Sequence, residues 1–258
     1  MCIARIRARL AGAFAVAAAF FLALPAGAEP VVIAQVTHLS GARGAEGRAY
    51  STGMQLYFDA LNREGGINGN HVVFVRRNDA GVPSETVRHT REMLRNARPL
   101  LLTGYSGAEN VRELVSSGLL QEEGIALVGY RAAGASPANG LLFGVHAKSP
   151  AQRAQLATRP NPYALRAAVA KEFRQAVAGG FDLEAPVGYA MFEGFVTAKV
   201  IAEALRRQDG QPTRTATLEV LEKLSVDVGG FVMAVEPAGK PAARALQMSQ
   251  AGGTAARP

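Results

Sequence analysis

The chain has no tryptophan and one cysteine, Cys2, which stands at the extreme N-terminus ahead of an apolar stretch. A lone thiol there excludes an internal disulfide and thiolate metal chemistry in everything downstream. The four histidines, His38, His71, His89 and His146, share no metal-ligand spacing, so a zinc site has no support in the sequence. Long hydrophobic runs are scarce too. Leu10 to Leu24 is the one extended apolar run free of charge, and it is short against the ~20 residues that span a bilayer. Paired carboxylates occur only as Glu122-Glu123, whose side chains diverge on a helix and read as a solvated helix end.

What is present begins with a leader. Arg5, Arg7 and Arg9 precede the apolar run, and Ala26-Gly27-Ala28 offers a small-x-small cleavage site, so residues 1–28 are expected to be a signal peptide cleaved near Ala28. The expected compartment is the periplasm. Cys2 lies before the apolar run, which argues against a lipid anchor. Removing three arginines takes the formal charge from +7 to +4 (7 − 3), and the remaining basic residues are scattered among acids. That distribution predicts no nucleic-acid partner. The 230 residues that remain (258 − 28) suit one large domain or two small ones.

The clearest local unit runs from Tyr50 to Asp79. Tyr50, Met54, Tyr57, Phe58 and Leu61 fall on one helical stripe. Gly65-Gly66 supplies left-handed residues to end that helix, Ile67 folds back on its last turn, and Asn68-Gly69 makes a tight turn before the strand His71 to Arg77.

The same alternation organises the first half of the chain. Strands are expected at Val31–Val36, 71–77, Leu100–Leu102, Ile125–Val128 and Leu141–Val145. Helices fall between them, one with Pro83 at its first position and one over Glu109–Glu123. This pattern predicts an α/β fold, a Rossmann-like parallel sheet with helices on both faces. Its ligand site belongs beyond the carboxyl ends of the strands, in the loops 39–47, 78–83, 104–110 and 129–134.

The first lobe is taken as 29–146. Lys148-Ser149-Pro150 and Arg159-Pro160-Asn161-Pro162 bracket an aperiodic connection, 147–162. Beyond it, 163–236 carries helices at 163–177, 189–207 and 213–224 and a strand at 231–235, and 237–258 is expected to be a disordered tail.

Two catalytic patterns are weighed and set aside. Gly41, Gly44 and Gly47 open a helix after a strand, but the spacing is not G-x-G-x-x-G and no acid ends the second strand in time for a ribose, so no dinucleotide or other cofactor is expected. Gly104-Tyr105-Ser106-Gly107-Ala108 approximates a nucleophile elbow. Only His146 follows Ser106 and no aspartate intervenes, so Ser106 reads as a helix cap and the chain as a non-enzyme.

In order, Leu39-Ser40-Gly41, Asn62 with Gly65-Gly66-Ile67-Asn68-Gly69, Asn78-Asp79 with Pro83, Gly104-Tyr105-Ser106-Gly107, Glu123-Gly124-Ile125, Phe192-Glu193-Gly194-Phe195 with Leu205-Arg206-Arg207, and Gly229-Gly230-Phe231 resemble the periplasmic amino-acid-binding proteins of branched-chain amino acid ABC transporters, the leucine-binding-protein family of type I periplasmic binding proteins. The resemblance implies a two-lobed clamshell with the ligand between the lobes. Here 147–162 stands where the family has roughly another domain, so the second lobe is expected to be vestigial.

It also implies an exported solute-binding component that takes an amino acid or similar small carboxylate, weakly, and hands it to an inner-membrane permease. The implied ligand-binding residues are Ser40, Tyr105, Ser106, Gly107, Tyr130, Arg131 and Ala132. Ser106, Gly107 and Ala132 would offer hydroxyl and N–H donors to a carboxylate, Tyr105 a wall, and Arg131 either a charged fork or a solvated surface arginine. Tyr130, like Tyr105, falls in a strand-end loop. The alternative function is a repurposed lobe acting as an interaction or homodimerisation module.

Overall fold

The computed structural model describes residues 29–132, 139–180 and 183–238. The expected signal peptide, Ala133 and Gly134 of the fourth loop, and the tail from residue 239 lie outside the described residues.

Seven strands form one sheet in the order β2-β1-β3-β4-β5-β7-β6. They are β1 (Val31–Thr37), β2 (Val72–Asn78), β3 (Leu101–Thr103), β4 (Leu127–Val128), β5 (Asn139–Ala147), β6 (Ser225–Asp227) and β7 (Val232–Ala238). The first five are parallel to one another. This agrees with the α/β expectation, because each of the first four is followed by a crossover or by a loop long enough to return the chain in the same direction.

The last two depart from it. β7 runs antiparallel to β5 and β6 antiparallel to β7. For β6 and β7 the reason is local: Val228 N–H donates to Phe231 C=O at 3.0 Å across Gly229-Gly230, both at positive φ, and a hairpin that tight reverses the chain.

Helices α1 (Gly44–Arg63), α2 (Pro83–Asn96), α3 (Ala108–Ser116), α4 (Leu119–Glu123), α5 (Pro150–Ala157), α6 (Ala168–Gly179), α7 (Tyr189–Arg206) and α8 (Arg214–Leu221) complete the described chain. The α1 stop forms as its residues dictate. Gly66 N–H reaches back to Leu61 C=O at 2.9 Å, and Ile67 and Asn70 pair with each other across Asn68 and Gly69 (φ 50° and 84°). Pro83 opens α2 as expected.

Several boundaries differ from the sequence reading; β6 is an added strand, and β7 runs on to Ala238, two residues into the stretch expected to be a disordered tail. The helix expected over 109–123 breaks at Gly118, whose φ of 76° is left-handed. The helix expected from 163 starts at Ala168. The stretch 147–162, expected to be aperiodic, holds α5, whose residues are all at least partly exposed, which is why no apolar stripe marks it.

Two apolar clusters cover the two faces of the sheet. One packs α1, α6 and α7 around Tyr57, Phe58, Phe173, Phe192 and Phe195; the other packs α2, α3 and α4 around Val36, Leu102, Tyr105 and Leu120. Ring pairs such as Tyr57–Phe195 (centroids 5.1 Å) and Phe173–Phe195 (5.5 Å) meet edge to face, the arrangement aromatic quadrupoles favour. The sheet thus presents the loops after β1 to β4 along its carboxyl-end edge.

Candidate functional site

The loops after β3 and β4 are joined beyond the strands themselves. Gly107 N–H donates to Arg131 C=O at 2.9 Å, and Arg131 N–H to Tyr105 C=O at 2.7 Å. Ser106 and Arg131 form a parallel bridge in consequence. The loops after β1 and β2 are stapled by Asn78, whose amide oxygen accepts from Leu39 N–H and Ala80 N–H at 2.9 Å and whose amide nitrogen donates to Ser40 Oγ at 2.8 Å.

This pairing decides where several of the expected residues stand. The Gly107 N–H is spent on Arg131, not offered to a carboxylate. Gly107, at φ 95°, is the N-cap of α3, so the cap is not Ser106; the Ser106 hydroxyl instead meets that of Thr37 at 2.7 Å. The Tyr105 side chain, expected to form a ligand wall, is fully buried, and its hydroxyl bonds Thr90 Oγ1 at 2.9 Å. Burial pushes that phenol's pKa up. Ser40 is exposed on the loop after β1, and Ala132 is buried.

Arg131 is neither a free anion receptor nor a solvated surface arginine. Its side chain is 9% exposed, bonds Glu46, and approaches Glu193 Oε2 with Nε at 3.4 Å. Its guanidinium lies 5.0 Å from the Tyr50 ring centroid. Burial works against its charge, and Glu193 and Glu46 more than restore it. Arg159 meets the same Glu46 oxygen, Oε1. Burial tends to raise the Glu46 pKa, and Arg131 and Arg159 together bring it below the usual carboxylate value. Isolated buried charge is costly, which is why this arginine comes with acids from two helices.

Beside that ion-pair chain lies a cavity of about 70 Å³. Tyr130 and Arg131 line it from the loop after β4, Tyr50 from α1, His146 from β5, Arg153 and Leu156 from α5, and Tyr189 and Glu193 from the start of α7. Burial holds the His146 imidazole below its ordinary pKa, so it is neutral near pH 7. Of the expected site residues, therefore, Tyr130 and Arg131 meet at the cavity, Ser106 pairs with Arg131 through backbone, and Ser40 stands apart beside Asn78.

A second polar cluster escaped the sequence reading. His38 Nδ1 lies 2.9 Å from Asp79 Oδ1, the same oxygen that Gly81 N–H donates to, while Thr86 Oγ1 and Asn110 Nδ2 donate to Asp79 Oδ2 at 2.7 and 3.2 Å. All four side chains are buried. Burial alone would raise the Asp79 pKa; the hydrogen bonds from His38, Gly81 and Thr86 outweigh it and hold the carboxyl below its usual value. The network locks the loop after β2 to α2 and α3. Asp79 was visible as part of Asn78-Asp79-x-x-x-Pro83, but nothing in the spacing points from it to His38 or Asn110. Among the described residues no group of three or more His, Cys, Asp or Glu is arranged to hold a metal.

Comparison with known proteins fits this architecture. Residues 30–147 match the model of a family described as periplasmic binding protein. No curated protein matches the chain. A solved substrate-binding periplasmic protein from Ralstonia solanacearum aligns over 78% of this chain and 91% of its own with a TM-score of 0.68 at 24% identity.

A possible leucine/isoleucine/valine-binding protein from Rhodopirellula baltica aligns over 81% and 90% with a TM-score of 0.62 at 13% identity. A leucine-binding protein from Thermotoga maritima aligns over 80% and 94% with a TM-score of 0.59 at 12% identity. At these identities the structures speak to the fold alone. Residues 30–147 are thus matched to the periplasmic binding proteins in sequence, and the fold is that of their type I members, as the resemblance implies.

Proposed function

We propose that the chain is an exported, non-enzymatic solute-binding protein of an ABC transporter, taking an amino acid or a similar small carboxylate at the carboxyl-end edge of its sheet. The observation that carries this reading is the cavity where the loop after β4, the end of β5 and the start of α7 meet, because it joins apolar walls to a few converging polar groups. The amino-acid class comes from the names of the Rhodopirellula and Thermotoga structures. Among the described residues no helix is long and apolar enough to cross a membrane.

In this reading the molecule is one lobe, because the chain passes from β5 to α6 through α5 alone. A lobe without a partner cannot close on its ligand, so affinity is expected to be weak and permease recognition to depend on the lobe surface. The dimerisation alternative has less support. The large apolar residues exposed among those described, Val73, Val82, Tyr163, Leu183 and Val232, are scattered over separate elements and form no single face. The test is a thermal-shift panel of amino acids and small carboxylates on the purified chain. Stabilisation by at least one of them is expected; no shift with any at millimolar concentration would refute the binding role.

A further inference from the structure

Among the described residues every wall of the cavity but one belongs to the packed body: α1, α7, the loop after β4, and strands β5 and β7. The remaining wall is α5, through Arg153 and Leu156. None of the eight residues of α5 is buried, and Leu156 alone of them packs against the apolar cluster of α1, α6 and α7. A helix that short is marginal by itself and depends on what it packs against. Apolar contact therefore holds α5 weakly.

Polar contacts hold it at both ends, and the ends differ. Near its start, Lys148 N–H donates to Val232 C=O at 2.7 Å, Gln152 Nε2 donates to Gly230 C=O at 3.0 Å, and Gln152 Oε1 accepts from Val232 N–H at 3.3 Å. That end is tied to the β6–β7 hairpin. The other end rests on one side chain. Arg159 bonds Glu46 of α1, and its guanidinium lies 5.8 Å from the Tyr189 ring centroid on α7. Its own backbone, at φ 50°, is in the left-handed region that costs a residue carrying a Cβ. The Arg159–Glu46 pair is half exposed (50% and 41%), so water competes for it.

Breaking that pair strands no charge. Glu46 Oε1 also takes Arg131, so the carboxylate keeps a cation when Arg159 turns to solvent. Prolines bound the segment that would move: Pro150 opens α5, and Pro160 and Pro162 follow it. Beyond them Arg174 Nη1 donates to Pro162 C=O and Leu165 C=O, which fixes the chain again on α6.

We propose that α5 is a lid on the cavity, hinged at its tie to the β6–β7 hairpin and latched by Arg159 on Glu46 and Tyr189. Its opening brings the cavity face of α7 into contact with solvent. The inference goes beyond the solute-binding reading and holds whatever the cavity takes up.

The test is the rate of thiol labelling by iodoacetamide in the full chain carrying Cys2→Ser and one new cysteine. Val196→Cys places the thiol on the cavity face of α7 at a position 7% exposed; Val200→Cys places it one turn on, fully buried and away from the cavity. Each variant is checked for native circular dichroism, and Met233→Cys, which lines the cavity from β7, replaces Val196→Cys if that variant does not fold. The cavity thiol is expected to react about tenfold faster than the Val200→Cys thiol, because local opening is more frequent than global unfolding. Adding Arg159→Met is expected to raise the cavity rate about threefold and to leave the Val200→Cys rate within about twofold.

Equal rates at the two positions would mean that the cavity opens only when the whole fold does, and would overturn the lid. A cavity rate unchanged by Arg159→Met would overturn the latch and the lid with it. A parallel rise at both positions would do the same, since Arg159 would then stabilise the fold as a whole.

Discussion

The carbonyl oxygen of Tyr50 lies so close to Gly194 that a Cβ on that glycine would stand 2.0 Å from it. The contact is reciprocated one turn away, where a Cβ on Gly53 would stand 1.8 Å from Met191 C=O. Helices α1 and α7 therefore cross backbone to backbone, and this crossing sets where Tyr50 and Glu193 stand at the cavity. Gly→Ala inside a helix ordinarily gains about 1 kcal/mol. Here Gly194→Ala is expected to lose about 1–3 kcal/mol through overpacking, lowering Tm by several degrees in a melt followed by circular dichroism. A raised Tm would contradict the crossing.

Asp79→Asn removes the charge from a carboxylate that receives donors from His38, Gly81, Thr86 and Asn110, and turns one acceptor position into a donor facing donors. A loss of about 3 kcal/mol in urea unfolding is expected. A variant within about 0.5 kcal/mol of the parent would mean that the network does not anchor the loop after β2.

Stability should also fall in acid, in two windows. The Asp79 pKa is lowered in the fold, so its contribution is complete above the unfolded value of about 3.9 and is lost as pH drops through the lower folded value. The His146 pKa is lowered too, chiefly by burial, and the unfolded chain takes up that proton first. Its contribution is therefore complete above about pH 6.5 and declines as pH falls below that. Chemical denaturation from pH 8 to pH 3 should show both declines, with His146→Gln removing the upper one and Asp79→Asn the lower.

Arg131 and Glu46 should be energetically coupled. A double-mutant cycle with Arg131→Met and Glu46→Gln is expected to return about 1–3 kcal/mol, more than an exposed pair gives, because the arginine side chain is only 9% exposed. A coupling near zero would show that each charge is satisfied independently.

Ser106→Ala separates the loop surface from the cavity. Losing the 2.7 Å bond to Thr37 should cost about 1 kcal/mol of stability. Binding of a ligand found in the thermal-shift panel, read by calorimetry, should stay within twofold of the parent; a tenfold loss would move the ligand to the strand-end loops.

Much of the fold is legible in residue order alone. The α1 stripe, the Gly65-Gly66 stop, the Asn68-Gly69 turn and Pro83 at the head of α2 act within a few residues of one another, so short-range geometry settles them. The alternation of apolar strands and helices likewise settles the parallel half of the sheet. Tertiary structure decides the site. Tyr105 looks like a loop aromatic until Thr90 of α2 takes its hydroxyl, and Gly107 looks like a free donor until the loop after β4 takes its N–H.

Arg131 reads as an anion-binding fork or a solvated surface charge until α1 and α7 bring it Glu46 and Glu193, positions 85 and 62 residues away (131 − 46; 193 − 131). Periodicity records which face of an element is buried. It does not record which distant charge that face will meet, because that follows from how the helices cross over the sheet, and here two glycines fix the crossing.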